Sequence, residues 1–119
     1  MKVEVKITES FKKAAKPLIK KYKSFLDDLS ELEAKLLVNP EAGTALGNNA
    51  YKIRLRIKSK GKGKSGGARV ISYVEKNLIS IVTVEDEKAI VNLLTVYDKS
   101  ERENISDTEL KELIESLQT

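Results

Sequence analysis

The segment from Lys52 to Arg69 carries the residues best suited to chemistry on a charged substrate. It contains eight cations and no acid, whereas the rest of the chain holds 14 basic and 18 acidic residues. A positive field concentrated in this way attracts polyanions, and nucleic acid is the obvious candidate. The eight cations are Lys52, Arg54, Arg56, Lys58, Lys60, Lys62, Lys64 and Arg69.

The first part of this segment alternates between apolar and basic side chains. Residues 51–58 therefore predict a strand with one buried face and one cationic face. Lysine and arginine often protect exposed strands, so an inert solvated face is one interpretation. Like charges at neighbouring positions of one face repel each other, however, and no acid lies nearby in the sequence to relieve that repulsion. We favour the interpretation that this face binds an anion or RNA.

The glycine- and lysine-rich stretch that follows invites comparison with a phosphate-binding P-loop. That motif needs four residues between its glycines, a hydrophobic strand before it and a helix directly after it. In residues 61–67 the glycines are spaced differently, and another strand is expected to follow. The stretch is better interpreted as a hairpin tip, where glycine permits tight turns and lysine adds charge.

Two residue types that often carry out chemistry are absent. Without cysteine or histidine, the chain can form neither disulfides nor thiolate or histidine-rich metal centres. We expect no metal or other cofactor, and acid–base chemistry falls to lysine, tyrosine, arginine and the carboxylates. The sequence has no apolar run long enough for a membrane span, and its N-terminus lacks the apolar core of a signal peptide. We therefore expect a cytoplasmic location and no membrane partner.

The elements that would position the basic segment follow from periodicity and capping residues. Alternation predicts a strand over Val3–Ile7, and helical spacing predicts a helix after Thr8 that Pro17 could kink or delay. A second helix should begin after Ser24, bury Phe25, Leu29, Leu32, Leu36 and Leu37, and end at residues 39–40. The two helices should form an antiparallel hairpin, followed by a loop over residues 41–49.

The second half of the chain predicts a sheet and a closing helix. Besides residues 51–58, strands are predicted over residues 69–74, 78–84 and 89–97, with a charged turn at 85–88. Ser106 and Glu109 have the spacing of a capping box, in which each residue's side chain bonds the other's backbone amide. Leu110, Leu113, Ile114 and Leu117 then form one apolar stripe. The pattern indicates one α+β domain over residues 1–119.

Four stretches carry more specific motifs. They are Gly47-Asn-Asn-Ala-Tyr-Lys-Ile-Arg-Leu55, Gly61-Lys-Gly-Lys-Ser-Gly-Gly-Ala-Arg-Val-Ile71, Leu93-Leu-Thr-Val-Tyr-Asp-Lys-Ser-Glu101 and Ile105-Ser-Asp-Thr-Glu-Leu110. In this order, and over nearly the whole chain, the sequence resembles the RelE/ParE superfamily of bacterial toxin–antitoxin toxins, and RelE/HigB-like members in particular. The resemblance implies an N-terminal strand and helical hairpin packed on a twisted antiparallel sheet of about four strands, with a short C-terminal helix.

The same resemblance implies an activity and a set of partners. RelE/HigB-like toxins of type II modules are metal-free endoribonucleases, or mRNA interferases, that cut mRNA, usually on the ribosome. A cognate antitoxin silences them. The antitoxin would cover the basic face or displace the C-terminal helix, while mRNA and ribosomal RNA would be the nucleic-acid partners.

The resemblance also implies roles for individual residues. Lys52 and Arg54 match the family's basic pair on the first central strand, and Arg69 matches the phosphate-contacting arginine after the glycine turn. Lys99 lies where the family often has a basic residue, and Tyr97 could contact RNA through its ring or hydroxyl. RelE has a catalytic tyrosine near the C-terminus, whereas here no tyrosine follows Tyr97. Further RNA contacts are expected from Arg56, Lys58, Lys60, Lys62 and Lys64.

These residue types suit RNA cleavage in which the 2′-hydroxyl attacks the adjacent phosphate. Arg54 and Arg69 could stabilise the charge that develops on the phosphate. Neighbouring cations disfavour the charged form of a lysine, so Lys52 is hypothesised to be the base. Lys99 or Tyr97 would assist the leaving oxygen.

Two other functions remain open from the sequence. ParE-like relatives share the fold and poison DNA gyrase, and a non-catalytic module could bind RNA without cutting it. A lysine cluster on the first predicted helix is either a solvated face or a contact to ribosomal RNA. That cluster comprises Lys12, Lys13, Lys16, Lys20 and Lys21.

Overall fold

The fold is α+β, as predicted. The computed structural model describes residues 2–60, 67–78 and 87–117. Its elements, in chain order, are β1 (Lys2–Ile7), α1 (Glu9–Lys21), α2 (Phe25–Val38), β2 (Thr44–Gly47), β3 (Ala50–Arg56), a short 3-10 helix (Lys58–Lys60), β4 (Gly67–Leu78), β5 (Glu87–Asp98) and α3 (Asp107–Leu117).

The described strands form one five-stranded mixed sheet in the order β1-β5-β4-β3-β2. The sequence predicted about four antiparallel strands, and two features differ from that prediction. β1 pairs with β5 in parallel, whereas the other neighbours are antiparallel. β2 lies within the predicted 41–49 loop, because a strand of four residues is too short to show alternation.

Different helices cover the two faces of the sheet. α1 and α2 pack on the first face, where Phe11, Phe25 and Leu36 meet Val70 and Val91 in the main core. α3 covers part of the second face, where its buried Leu110 packs with a smaller cluster. That cluster contains Ala50, Ile71, Leu94 and Tyr97. The helices thus leave the basic part of the second face uncovered, next to the apolar part that α3 covers.

A bulge in β5 decides which side chains reach each face. Ile71 pairs with Thr95 while Ser72 pairs with Leu93, so Leu94 is the extra residue. Leu93 consequently packs in the main core and Leu94 in the smaller cluster under α3. The Thr8 hydroxyl ties the bulge to α1, because it donates to the Leu93 carbonyl at 2.8 Å and accepts from the Phe11 amide at 3.2 Å. The predicted cap at Thr8 is therefore confirmed.

The helical hairpin departs from the prediction in detail. α1 continues through Pro17 as far as Lys21. Ser24 precedes α2 as predicted, but its hydroxyl makes no capping bond and instead contacts Asp28 and Ser59. Leu37, which was predicted to be buried, is 49% exposed because it lies on the outer side of α2.

The end of the sheet and α3 are partly as predicted. β4 and β5 are longer than expected and pair directly, up to Leu78 opposite Glu87. Most of the strand predicted over 78–84 therefore falls outside the described residues, and the predicted turn at 85–88 overlaps the start of β5. Within the described part of the chain, no helix is long and apolar enough to cross a membrane.

Only one of the two hydrogen bonds of the predicted capping box forms at α3. The Ser106 hydroxyl accepts from the Glu109 amide at 3.1 Å, as predicted. The reciprocal bond was predicted wrongly, because the Glu109 carboxylate pairs with Arg102 instead, with an N–O distance of 2.6 Å. This pairing connects α3 to the turn that leaves β5.

Candidate functional site

Four of the five predicted catalytic residues line one small cleft on the second face of the sheet. The cleft has a volume of about 230 Å³ and opens beside the apolar cluster under α3. Its cations come from β3, β4 and the turn after β5, which are distant in sequence. The residues that line it are Thr44, Lys52, Arg54, Arg69, Lys99, Glu103 and Asn104.

The strand ladder places three of these cations side by side. Lys52 and Arg54 are two residues apart on β3, so they project from the same face. Arg54 lies directly opposite Arg69 of β4. Residues paired in this way have Cβ atoms about 5 Å apart. Arg69 is only 8% exposed and donates from Nη1 to the Ala68 carbonyl at 3.1 Å, whereas Arg54 is exposed.

The turn between β5 and α3 closes the other side of the cleft. The Lys99 amide donates to the Gly67 carbonyl at 3.1 Å, which fixes the start of the turn against β4. Further along, Lys52 Nζ donates to the Asn104 Oδ1 at 3.1 Å. The turn is thus held to β3 and β4, and its Lys99 and Asn104 line the cleft together with Lys52.

A buried carboxylate secures the beginning of that turn. Asp98, at the end of β5, is 1% exposed and accepts hydrogen bonds from Lys60, Ser100 and Tyr22. Burial alone would raise the pKa of Asp98, but the Lys60 ammonium, the Ser100 amide and hydroxyl and the Tyr22 hydroxyl outweigh it and hold that pKa well below its usual range. The ionised Asp98 therefore fastens the turn to α1 and to the 3-10 helix.

Tyr97 does not line the cleft, although it lies opposite Arg69 in the ladder. Its ring is 8% exposed, and the Arg102 guanidinium lies 4.7 Å from the ring centre. Its hydroxyl donates to the Glu103 carbonyl at 3.4 Å, and burial raises the pKa of that hydroxyl. Tyr97 is thus placed to support the turn, and a direct part in chemistry would require it to move.

The five residues predicted to make further RNA contacts lie outside the cleft lining or outside the described residues. Arg56 is exposed at the end of β3. Lys58 forms an ion pair with Glu31 of α2, and Lys60 pairs with Asp98. Lys62 and Lys64 lie outside the described residues. The lysines on α1 are exposed, and among them Lys12 pairs with Glu9.

The sequence interpretation missed four residues that shape the site. Thr44, Glu103 and Asn104 line the cleft, and Asp98 holds its turn. Asp98 stands inside the quoted motif between Tyr97 and Lys99, and that position was the available signal. The described residues contain no group of three or more Asp or Glu side chains that could hold a metal ion.

Comparison with known proteins places the fold. No protein-family model matches the chain. Among solved structures, it is similar to the E. coli toxin RelE, determined as a double arginine-to-alanine mutant in the free state. The similarity covers 98% of this chain and 99% of that one, with 17% sequence identity and a TM-score of 0.54. The chain therefore has a RelE-like fold.

Proposed function

We propose that the chain is the toxin of a type II toxin–antitoxin module and cleaves mRNA on the ribosome without a metal. The observation that carries the proposal is the convergence of Lys52, Arg54, Arg69 and Lys99 on one cleft. Four cations gathered on one face of a RelE-like fold favour phosphate binding over an inert solvated surface. In this proposal the protein acts in the cytoplasm and a cognate antitoxin silences it.

The cleft offers each component of a phosphodiester cleavage. Arg54 and Arg69 would bind the non-bridging oxygens and stabilise the charge that grows on them in the transition state. Lys99 would give a proton to the departing 5′-oxygen, because Tyr97 is buried behind the turn. The 2′-hydroxyl also needs a proton acceptor, for which Lys52 is the hypothesis that the sequence supplied.

Mapping mRNA 5′ ends after adding the purified protein to translating ribosomes tests the proposal. We expect codon-phased cuts from the wild-type protein and none from Arg69→Ala. Since Arg69 is mostly buried, the exposed Arg54→Ala serves as a second variant, with thermal denaturation showing that both fold. Lys35→Ala, on the exposed side of α2 and away from the cleft lining, is the matched control and should cut normally.

Other outcomes separate the competing functions. Intact transcripts together with a DNA-damage response after induction would indicate a ParE-like gyrase poison. Ribosome or RNA binding without new 5′ ends would indicate a non-catalytic module. An Arg69→Ala variant that folds and arrests growth as strongly as wild type would contradict the proposed role of the cleft.

A further inference from the structure

One acidic side chain stands in the lining of the cationic cleft. Glu103 lines it together with Lys52, Arg54, Arg69 and Lys99. Within the described ranges its carboxylate takes part in no salt bridge, although other exposed glutamates such as Glu31 and Glu41 do. Among the described residues the carboxylate has no ionic partner, so it is available to contact a ligand.

The backbone that presents this carboxylate is held on three sides. Arg102, just before it, stacks on Tyr97 and forms two hydrogen bonds to Glu109. The Glu103 carbonyl accepts from the Tyr97 hydroxyl, and Asn104, just after it, accepts from Lys52. Contacts before, at and after Glu103 therefore fix its position at the cleft, while its carboxylate has no ionic partner in the part of the chain that the structure describes.

This arrangement carries an electrostatic cost for phosphate binding. A negative charge near Arg54 and Arg69 repels the phosphate that those cations would attract. A carboxylate has a compensating use, because it is ionised at neutral pH and can accept a proton. A lysine ammonium, with an ordinary pKa of about 10.4, must first lose its own proton.

We infer that Glu103, rather than Lys52, is the general base of the cleavage, an inference that rests on the proposed function. The Glu103 carboxylate takes the proton of the 2′-hydroxyl as the 2′-oxygen bonds to phosphorus. The bond from phosphorus to the 5′-oxygen breaks, and that oxygen takes a proton from the Lys99 ammonium. The products are a 2′,3′-cyclic phosphate and a 5′-hydroxyl, and proton exchange with water resets both side chains.

Lys52 then has a different role at the same site. Its ammonium holds Asn104, and through it the turn that carries Glu103, and its charge lies at the cleft where the phosphate would bind. A positively charged Lys52 suits that role better than a neutral amine. The assignment thus leaves Lys52, Arg54 and Arg69 charged throughout the step, and Lys99 charged until it gives its proton to the leaving oxygen, in keeping with phosphate binding.

Glu103→Gln separates a base from a merely electrostatic residue. We expect the single-turnover cleavage rate on programmed ribosomes to fall about 100-fold, the order seen when a general base is lost. Binding of an mRNA with a 2′-deoxy nucleotide at the scissile position should be unchanged or tighter, because a negative charge is removed from a cationic cleft. A slower reaction with undiminished binding is a combination that loss of folding or of RNA affinity would not give.

The matched control is Glu101→Gln, which makes the same change of charge in the same turn. Glu101 is exposed and does not line the cleft, so its variant should cleave at the wild-type rate. A Glu103→Gln protein that cleaves as fast as Glu101→Gln would overturn the inference and leave the proposed function intact. A wild-type protein that cuts no RNA on ribosomes would overturn the proposed function and this inference together.

Discussion

The Lys60 ammonium lies 2.8 Å from the Oδ1 of the buried Asp98, and this ion pair joins the chain just after β3 to the end of β5. Lys60 ends the 3-10 helix after β3, and Asp98 ends β5. The Tyr22 hydroxyl reaches the other carboxylate oxygen at 2.7 Å, so the end of α1 joins the same cluster. Lys60 therefore takes part in holding the fold, and its predicted contact with RNA stays a prediction.

Asp98→Ala should be among the most destabilising single substitutions in the chain. It removes the acceptor of Lys60, Tyr22 and Ser100 and leaves a partly buried ammonium without its counter-ion. Breaking a buried pair in this way costs about 3 kcal/mol of unfolding free energy. Urea denaturation measures this loss. As a control, Glu33→Ala on the exposed side of α2 should change the free energy of unfolding by no more than about 0.5 kcal/mol.

The Asp98 cluster also predicts how stability depends on pH. Because the folded pKa of Asp98 lies below its unfolded value of about 4, the unfolded chain binds that proton more readily. The stabilisation is present above the unfolded pKa and is lost as the pH falls from about 5 downward. The hydrogen bond to Asp98 raises the pKa of Lys60. The contribution of Lys60 to the free energy of unfolding is therefore lost only as the pH rises above about 10.4.

Urea unfolding between pH 3 and pH 7 checks this dependence. The wild-type free energy of unfolding should decline towards pH 3 more steeply than that of Asp98→Asn. Equal slopes in the two proteins would mean that Asp98 titrates alike in the folded and unfolded chains, against the hydrogen-bonding seen here.

Arg54 and Arg56 form a natural comparison on one strand. Both are exposed arginines of β3, but only Arg54 lines the cleft opposite Arg69. Arg54→Ala should lower the cleavage rate about 100-fold, as expected for loss of a group that stabilises the transition state. Arg56→Ala should weaken RNA binding slightly and leave the single-turnover rate within about threefold of wild type. Equal effects would show that overall charge, and not the cleft, determines activity.

Arg102 and Glu109 allow the attachment of α3 to be measured. Their side chains are 38% and 39% exposed, so solvent weakens the bidentate pair. A double-mutant cycle with Arg102→Ala and Glu109→Ala should give a coupling energy of about 1 kcal/mol or less. Arg102→Ala should cost more than Glu109→Ala, because it also removes the contact with the Tyr97 ring. A larger loss of stability from Glu109→Ala than from Arg102→Ala would show that the contact between Arg102 and the Tyr97 ring does not stabilise the fold.

The sequence was sufficient for features that rest on local periodicity and motif. Alternation over residues 51–58 correctly placed Lys52 and Arg54 on one face, and the cap at Thr8 follows from its position before a helical pattern. The resemblance to RelE-like toxins brought Arg69 and Lys99 into the same group, and the structure places both at the cleft. What these residues do there remains a proposal.

Features that depend on distant pairing could not be predicted in the same way. No local pattern shows that Lys60 would meet Asp98, 38 residues away, or that Lys58 would meet Glu31. Composition counts both lysines as free positive charge, although their ammonium groups are paired with acids. Glu103 was overlooked because it stands among mixed charges in the sequence and reaches the cleft only through the path of its turn.

The hairpin between β2 and β3 gives a final prediction, since a two-residue loop sets the register of β3 and hence of Lys52. Asn48 and Asn49 join the strands with φ angles of 54° and 64°, which indicates a type I′ turn. Glycine adopts a positive φ without steric cost, so Asn49→Gly should stabilise the protein by up to about 1 kcal/mol. Asn49→Val, which puts a β-branched side chain at the same φ, should destabilise the protein by about 2 kcal/mol. Chemical denaturation of the two variants measures both effects, and a destabilising Asn49→Gly would contradict the turn geometry.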